Sequence, residues 1–391
     1  MSKRSAVRLQ MLRLLGKLTA PTTSAVRWPP RILVLRPDHI GDLLFLFPAL
    51  AELRQNLPDA SVTLSVGPWV AALAALSPAA SEVETVEFPG FTRRPKANLI
   101  QPYALAMETA RRWRGRFDIC LVARPDHWWG AMAAALAGIP RRLGWRTPET
   151  EPFLTAALPS GRRQHEVVSN LVLTRSLTRS LGIEAPETAP SPEANPLQLT
   201  IPPSSQAAVQ RWLERNLAGA KTFLCVHPGA GAANKQWPES RYEALLRLLG
   251  DQVGLPIVVT GTASEAPLVE RTAASSPLAL SAAGDFSLVE LAGLLARAAL
   301  VIGSDSGPLH LAVASGTPTV HIYGPADEVK FGPWGSPARH RVLTGPVACR
   351  PCGDLTGCAA SDQLACMRAV SVDQVLRAAL ALLADCARLP A

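Results

Sequence analysis

With 391 residues and 48% apolar side chains, the chain has material for two ordinary domains, but no uninterrupted apolar run reaches the roughly eighteen residues that cross a bilayer. A formal charge of +8 suits a polyanionic partner. With only 5% aromatic residues and no RNA- or DNA-binding signature, nucleic acid ranks behind an anionic membrane surface or a phosphorylated glycolipid.

Residues 1–30 place Lys3, Arg4, Arg8, Arg13, Lys17 and Arg27 among leucines without a clean export signal. They read as a basic extension, either an amphipathic helix or a disordered tail, and the expected compartment is the cytoplasm. From residue 31 to 182 strands and helices alternate. Arg31–Arg36 predicts a strand, Asp42–Asn56 a helix, Ser61–Val66 a strand, Tyr103–Arg114 a helix, Phe117–Ala123 a strand and Glu166–Leu181 a closing helix. Residues 183–203, rich in Pro, Glu and Ala, read as a linker. The pattern resumes over 204–370. Strands are expected at Thr222–His227, Pro256–Thr260, Leu300–Gly303 and Thr319–Tyr323, and helices at Glu239–Leu249 and Ser287–Arg297. Ser371 opens a last helix over 371–391, placed to pack back on the first domain. Such alternation means parallel sheets covered by helices on both faces, here two Rossmann-like α/β domains facing a central cleft.

Three strand ends carry residues suited to an anionic ligand. The first strand empties into Pro37-Asp38-His39-Ile40-Gly41-Asp42, where Gly41 admits close backbone approach and Asp42 stands at a helix start. The dipole there favours the ionised carboxylate, as a general base requires, although a plain helix cap explains Asp42 equally well. The G-x-G-x-x-G spacing of a dinucleotide site is absent. His227-Pro228-Gly229-Ala230-Gly231 leads to Lys235, small residues that let N–H groups close on phosphate and a mobile point charge for a pyrophosphate. Thr260-Gly261 is a weaker glycine turn of the same kind. Leu300–Gly303 runs into Asp305-Ser306-Gly307-Pro308-Leu309-His310, where a helix begins with its unpaired N–H groups toward the sheet edge.

Elsewhere Cys349, Cys352, Cys358 and Cys366 make a C-x2-C-x5-C-x7-C loop, a spacing open to either structural zinc or reduced thiols. Arg93, Arg94, Lys96, Arg111, Arg112, Arg114 and Arg116 concentrate positive charge that suits phosphate and carboxylate groups or is simply solvated. Asp126-His127-Trp128-Trp129 offers a stacking surface for sugar or core filling.

Taken together, ILVLRPDHIGDLLFLFPAL (32–50), HPGAGAANKQWP (227–238), Thr260-Gly261 and LVIGSDSGPLHLAVASGTPTVHIYGP (300–325) strongly resemble the bacterial ADP-heptose:lipopolysaccharide heptosyltransferase family. That resemblance spans about residues 31–385 and implies a GT-B fold and an inverting glycosyltransferase. It further implies heptose transfer from ADP-heptose, a nucleotide-diphosphate sugar, to a lipopolysaccharide inner-core-like acceptor at the inner face of the inner membrane, with no cofactor required for catalysis. By the same resemblance Asp42 is the base, and Gly41, His227, Gly229, Ala230, Gly231, Lys235, Gly261, Asp305, Ser306, Gly307 and His310 line the donor site. Arg93, Arg94, Arg111 and Arg112 fall in the acceptor domain. Ser306 replaces the commoner threonine and keeps its hydroxyl, whereas Gly231 replaces a hydroxyl residue. Another nucleotide sugar for a different surface glycan, a sugar-nucleotide epimerase or hydrolase, and a non-catalytic glycan-binding module are the alternatives. Fold alone does not choose among them.

Overall fold

A computed structural model describes residues 3–19, 26–92, 100–217, 219–220, 222–354, 357–358 and 363–386. The chain divides into two compact units, Met1–Pro190 and Ser191–Ala391. In the first, β1 (Arg31–Arg36), β2 (Ser61–Val66), β3 (Glu82–Thr85), β4 (Ile119–Val122), β5 (Arg141–Trp145) and β6 (Ala156–Leu158) form a parallel sheet in the order β3-β2-β1-β4-β5-β6. The second repeats this plan. Here β7 (Leu224–His227), β8 (Ile257–Gly261), β9 (Ala279–Ala283), β10 (Leu300–Ser304), β11 (Thr319–Tyr323) and β12 (His340–Thr344) are all parallel, in the order β12-β11-β10-β7-β8-β9. Both are Rossmann-like sheets. Their strand order reverses between β1 and β4 and between β7 and β10, and at such reversals a crevice opens beyond the carboxyl ends of the strands.

Ile32, Leu33, Val34 and Leu35 of β1, and Leu300, Val301 and Ile302 of β10, are fully buried, because helices cover both faces of each sheet and leave no polar alternation. The edge strands β3 (EVET), β6 (AAL), β9 (ALSAA) and β12 (HRVLT) are mostly half-exposed, and none was anticipated as a strand.

Two local outcomes differ from the sequence reading, and a third, at the N-terminus, chooses between its alternatives. The helix expected over 42–56 is two, Ile40–Leu44 and Phe47–Asn56. Pro48 has no N–H to give Leu44, and its ring would crowd that carbonyl. The Phe45 carbonyl exposed at the break instead accepts from Asn170 Nδ2 at 3.0 Å. The N-terminal segment forms a helix, Lys3–Leu18, whose Leu12 is fully buried in the first unit's core beside Ala106, Ala110 and Phe153. At Gly16 a Cβ would come within 2.6 Å of Pro152 Cβ, so a glycine lets this helix lie against the turn Glu151–Phe153. The last helix, Val372–Cys386, puts Val375, Leu376, Ala379 and Leu382 into the core of the second unit. Among the described residues no helix is long and apolar enough to cross a membrane.

Candidate active site

In the first unit the switch point is built around Arg36, a guanidinium only 2% exposed at the end of β1. A charge so buried must be paired, and it is. Its Nε lies 2.9 Å from Asp38 Oδ2, and Nη1 and Nη2 each lie 3.2 Å from Glu166 Oε1. Nη2 also reaches Asp42 Oδ1 at 3.4 Å, while Nη1 donates to the Ala123 carbonyl and to Asn170 Oδ1. Asp38, equally buried, is bound on its other oxygen by Arg124, which also grips Asp126 and lies over the Phe91 ring at 5.0 Å. Trp69 Nε1 donates to the Asp38 carbonyl at 2.8 Å.

Asp42 is therefore one of a cluster of four carboxylates and two guanidiniums, with 28% of its side-chain surface open. Burial first, then the Asp38 and Glu166 charges, push its carboxyl up to about 6 against the opposing pull of Arg36 and Arg124. The expected dipole effect is outweighed, since helix Ile40–Leu44, of which Asp42 is the third residue, has only five residues. At pH 7 such a carboxyl is still mostly ionised, and it is a stronger base than an ordinary aspartate.

In the neighbouring Asp126–Trp129 segment His127 and Trp129 turn inward, while Asp126 is exposed and Trp128 half-buried. His127 is 3% exposed and ringed by Phe88 at 5.1 Å and Phe91 at 5.9 Å, and burial lowers its imidazole to about 4. Trp129 is core, its Nε1 bound to the Pro102 carbonyl at 2.7 Å. A Cβ at Gly130 would strike the His127 ring. Of the arginines assigned to the acceptor, Arg93 and Arg94 lie outside the described residues. Arg111 and Arg112 occupy the last turn of helix Gln101–Trp113. That helix runs down to Asp118, whose N–H bonds the Arg31 carbonyl at the start of β1, the opposite end from Asp42. The positive charge beside Asp42 comes instead from Arg36 and Arg124.

In the second unit, His227 ends β7 with its Nδ1 3.1 Å from Thr260 Oγ1 at the end of β8, and burial holds its ring neutral. The loop that follows is tightly packed. A Cβ on Gly229 would collide with the Glu265 carboxylate, which caps its own turn by accepting from Thr262 N at 2.8 Å. Ala230 is half-buried, Gly231 exposed, and Gly261 lies against Val269. Lys235 Nζ sits 2.6 Å from Asp305 Oδ2, and His310 Nε2 is 3.2 Å from Asp305 Oδ1. Burial works to raise the Asp305 carboxyl, but the His310 hydrogen bond and the Lys235 charge together hold it well below the usual carboxylate range.

Ser306 is the N-cap of helix Gly307–Ala314, with extended backbone (φ −154°, ψ 162°). Its side chain makes no cap bond, and its buried hydroxyl finds no hydrogen-bond partner among the described residues. This orphaned buried hydroxyl, beside the Gly307 N–H and a lysine, gives a donor set suited to an anion, while Pro308 has no N–H and those of Leu309 and His310 turn back to the Ser306 carbonyl. Ser304, the last residue of β10, is satisfied, accepting from Trp237 N at 3.1 Å and lying 3.1 Å from the Tyr242 hydroxyl.

The cysteine loop adjoins this loop, since Asn234 Nδ2 donates to the Asp354 and Gly357 carbonyls at 2.6 and 2.8 Å. Cys349 and Cys352 are exposed, Cys358 half-buried and Cys366 buried, with burial raising the Cys366 thiol. Among the described residues no three His, Cys, Asp or Glu side chains stand together as a metal ion needs.

Arg36, Asp38, Glu166 and Arg124 were not singled out from sequence. The available signal was a charged pair, Arg36 and Asp38, closing an otherwise apolar strand. Nothing in the chain pointed to Glu166, which comes from 130 residues away.

Residues 107–357 match the model of glycosyltransferase family 9 (heptosyltransferase). Lipooligosaccharide heptosyltransferase 2 of Haemophilus influenzae is 25% identical over 303 residues, 75% of this chain and 83% of that protein. Among solved structures, a family 9 glycosyl transferase of Veillonella parvula superposes with a TM-score of 0.74 at 21% identity, covering 93% of this chain and all of the other. The ADP-heptose lps heptosyltransferase II of Escherichia coli superposes at 0.69 and 21% identity, covering 91% and 99%.

Proposed function

The chain belongs to glycosyltransferase family 9, the heptosyltransferases, and from that premise we propose that it transfers heptose from ADP-heptose to a hydroxyl of a lipopolysaccharide inner core with inversion. The observation that carries the donor half is the orphaned Ser306 hydroxyl at a helix N-terminus, with Lys235 and Asp305 beside it at the β7/β10 switch point. ADP-heptose rather than another sugar nucleotide is favoured by the relatives' own donor.

In the reaction, Asp42 takes the proton of the acceptor hydroxyl as that oxygen forms its bond to the anomeric carbon. The bond from that carbon to the diphosphate oxygen breaks, its electron pair leaving with ADP. Lys235, the Ser306 hydroxyl and the Gly307 N–H at the start of helix Gly307–Ala314 meet the charge that develops on the leaving phosphate. Before the donor arrives Lys235 is held and oriented by Asp305. Arg36 and Glu166 hold Asp42 in place and set how tightly it keeps its proton. A lipid-linked acceptor of this kind is met at the cytoplasmic face of the inner membrane.

A donor screen by thermal shift tests the reading. ADP and ADP-heptose should raise the melting temperature in proportion to affinity, and UDP- and GDP-sugars should not. Transfer to lipopolysaccharide lacking its heptoses should depend on acceptor. Steady donor consumption without acceptor would instead indicate a hydrolase or epimerase.

A further inference from the structure

We propose that the outer surface formed by the N-terminal helix Lys3–Leu18 and by helix Gln101–Trp113 is a docking face for an anionic lipid bilayer. With Leu12 at the centre of its buried side, the helical turn of 100° per residue sends Arg13 and Lys17 to one flank of the outer side and Met11 and Leu14 to the other. Met11 is 39% and Leu14 58% exposed, and Leu12 is the one buried side chain among the described residues of this helix. The helix contains no acidic residue. Arg8 is engaged, 3.6 Å from Glu149 and over the Trp128 ring, but Arg13 and Lys17 make no ion pair among the described residues.

The second helix repeats the arrangement nearby. Tyr103 packs on the same Trp128 ring, 6.1 Å between centroids. Ile100, at its N-cap, is 74% exposed and Met107 is 45% exposed. Arg111 and Arg114 continue that stripe at i+4 and i+7 from Met107, and Glu108 is the helix's only acidic residue. Four of the eight large apolar side chains exposed among the described residues thus lie on these two helices or at the N-cap of the second, which also carry Arg13, Lys17, Arg111 and Arg114 without an ion pair among the described residues.

Apolar side chains that enter the acyl boundary, flanked by cations at headgroup level, are what an interfacial helix needs. A protein partner would have to offer a surface both acidic and apolar, whereas an anionic bilayer supplies the two everywhere. The proposal rests on the functional reading only in taking the acceptor to be lipid-linked.

The test is sedimentation of the full chain with phosphatidylcholine vesicles, with and without phosphatidylglycerol, at low and high salt. Wild type should bind only the anionic vesicles and should be released by salt. Arg13→Gln with Lys17→Gln should weaken partitioning by about 25-fold, roughly fivefold for each charge. Met11→Asp with Leu14→Asp should weaken it about tenfold or more, and Ile100→Asp with Met107→Asp should weaken it measurably. Hydrogen exchange on the unmodified chain reads the same contact without substitution, since anionic vesicles should slow exchange in residues 8–17. Wild-type binding that ignores lipid charge, variants that bind as wild type, or a surface shown by light scattering to pair two copies of the chain would each overturn the proposal. Transfer to a water-soluble acceptor by the Met11/Leu14 variant should equal that of wild type. Absence of transfer in every protein would overturn the functional reading and leave the docking face standing.

Discussion

Asp42→Asn separates the chemical role of this carboxyl from its electrostatic load. The substitution keeps the shape and removes both the base and one of the four carboxylates that share Arg36 and Arg124. Turnover should fall by about a hundredfold or more, the usual contribution of a positioned base, while ADP affinity stays within about twofold because the donor residues lie in the other unit. Stability should move the opposite way. A carboxyl raised from 3.8 to about 6 holds its proton more tightly in the native state, so the native chain binds more protons than the unfolded one between those values. The stabilisation is present below about pH 3.8 and is lost as pH rises through 6, a change of at most about 3 kcal/mol at 1.36 kcal/mol per tenfold. The asparagine variant lacks this loss. Urea unfolding of both proteins should give similar free energies near pH 4 and a variant more stable by about 1–3 kcal/mol at pH 7. Turnover within a few-fold of wild type, or a stability difference that does not change with pH, would refute the assignment of Asp42 as a charge-strained base.

Glu166→Gln removes a negative charge that works against ionisation of Asp42, so the acid limb of the kcat/KM profile, expected near pH 6 in wild type, should move to lower pH. An unmoved limb would detach Glu166 from the base. Ser306→Ala should leave the melting temperature unchanged or slightly raised, because its hydroxyl has no partner to lose, yet weaken ADP binding severalfold by calorimetry. Lys235→Ala should weaken ADP binding about tenfold or more, and arginine should not restore it, since a planar fork does not replace a point charge. Gly303→Ala would put a Cβ 2.6 Å from the His227 carbonyl and from Leu309, so it should cost about 1–3 kcal/mol in denaturant unfolding. A neutral result there would mean that β7 and β10 can separate at the switch point.

The sequence by itself determined the central strands, because residues buried on both faces of a parallel sheet must form unbroken apolar runs. β1 and β10 are such runs. It also made the proposed anion-binding elements legible, since the glycine turn at Gly229 and the helix start at Ser306-Gly307 are local features that neighbours in the chain set. Edge strands stayed hidden because β3 and β12 are half-exposed and carry mixed residues. Only the tertiary structure decided what surrounds Asp42. Coulombic forces act through space, and the groups that set its proton affinity come from the ends of β1 and β4 and from a helix 130 residues away. The same holds for the N-terminal helix: its spacing leaves both tail and helix open, and the burial of Leu12 with the close approach of Gly16 to Pro152 chooses between them.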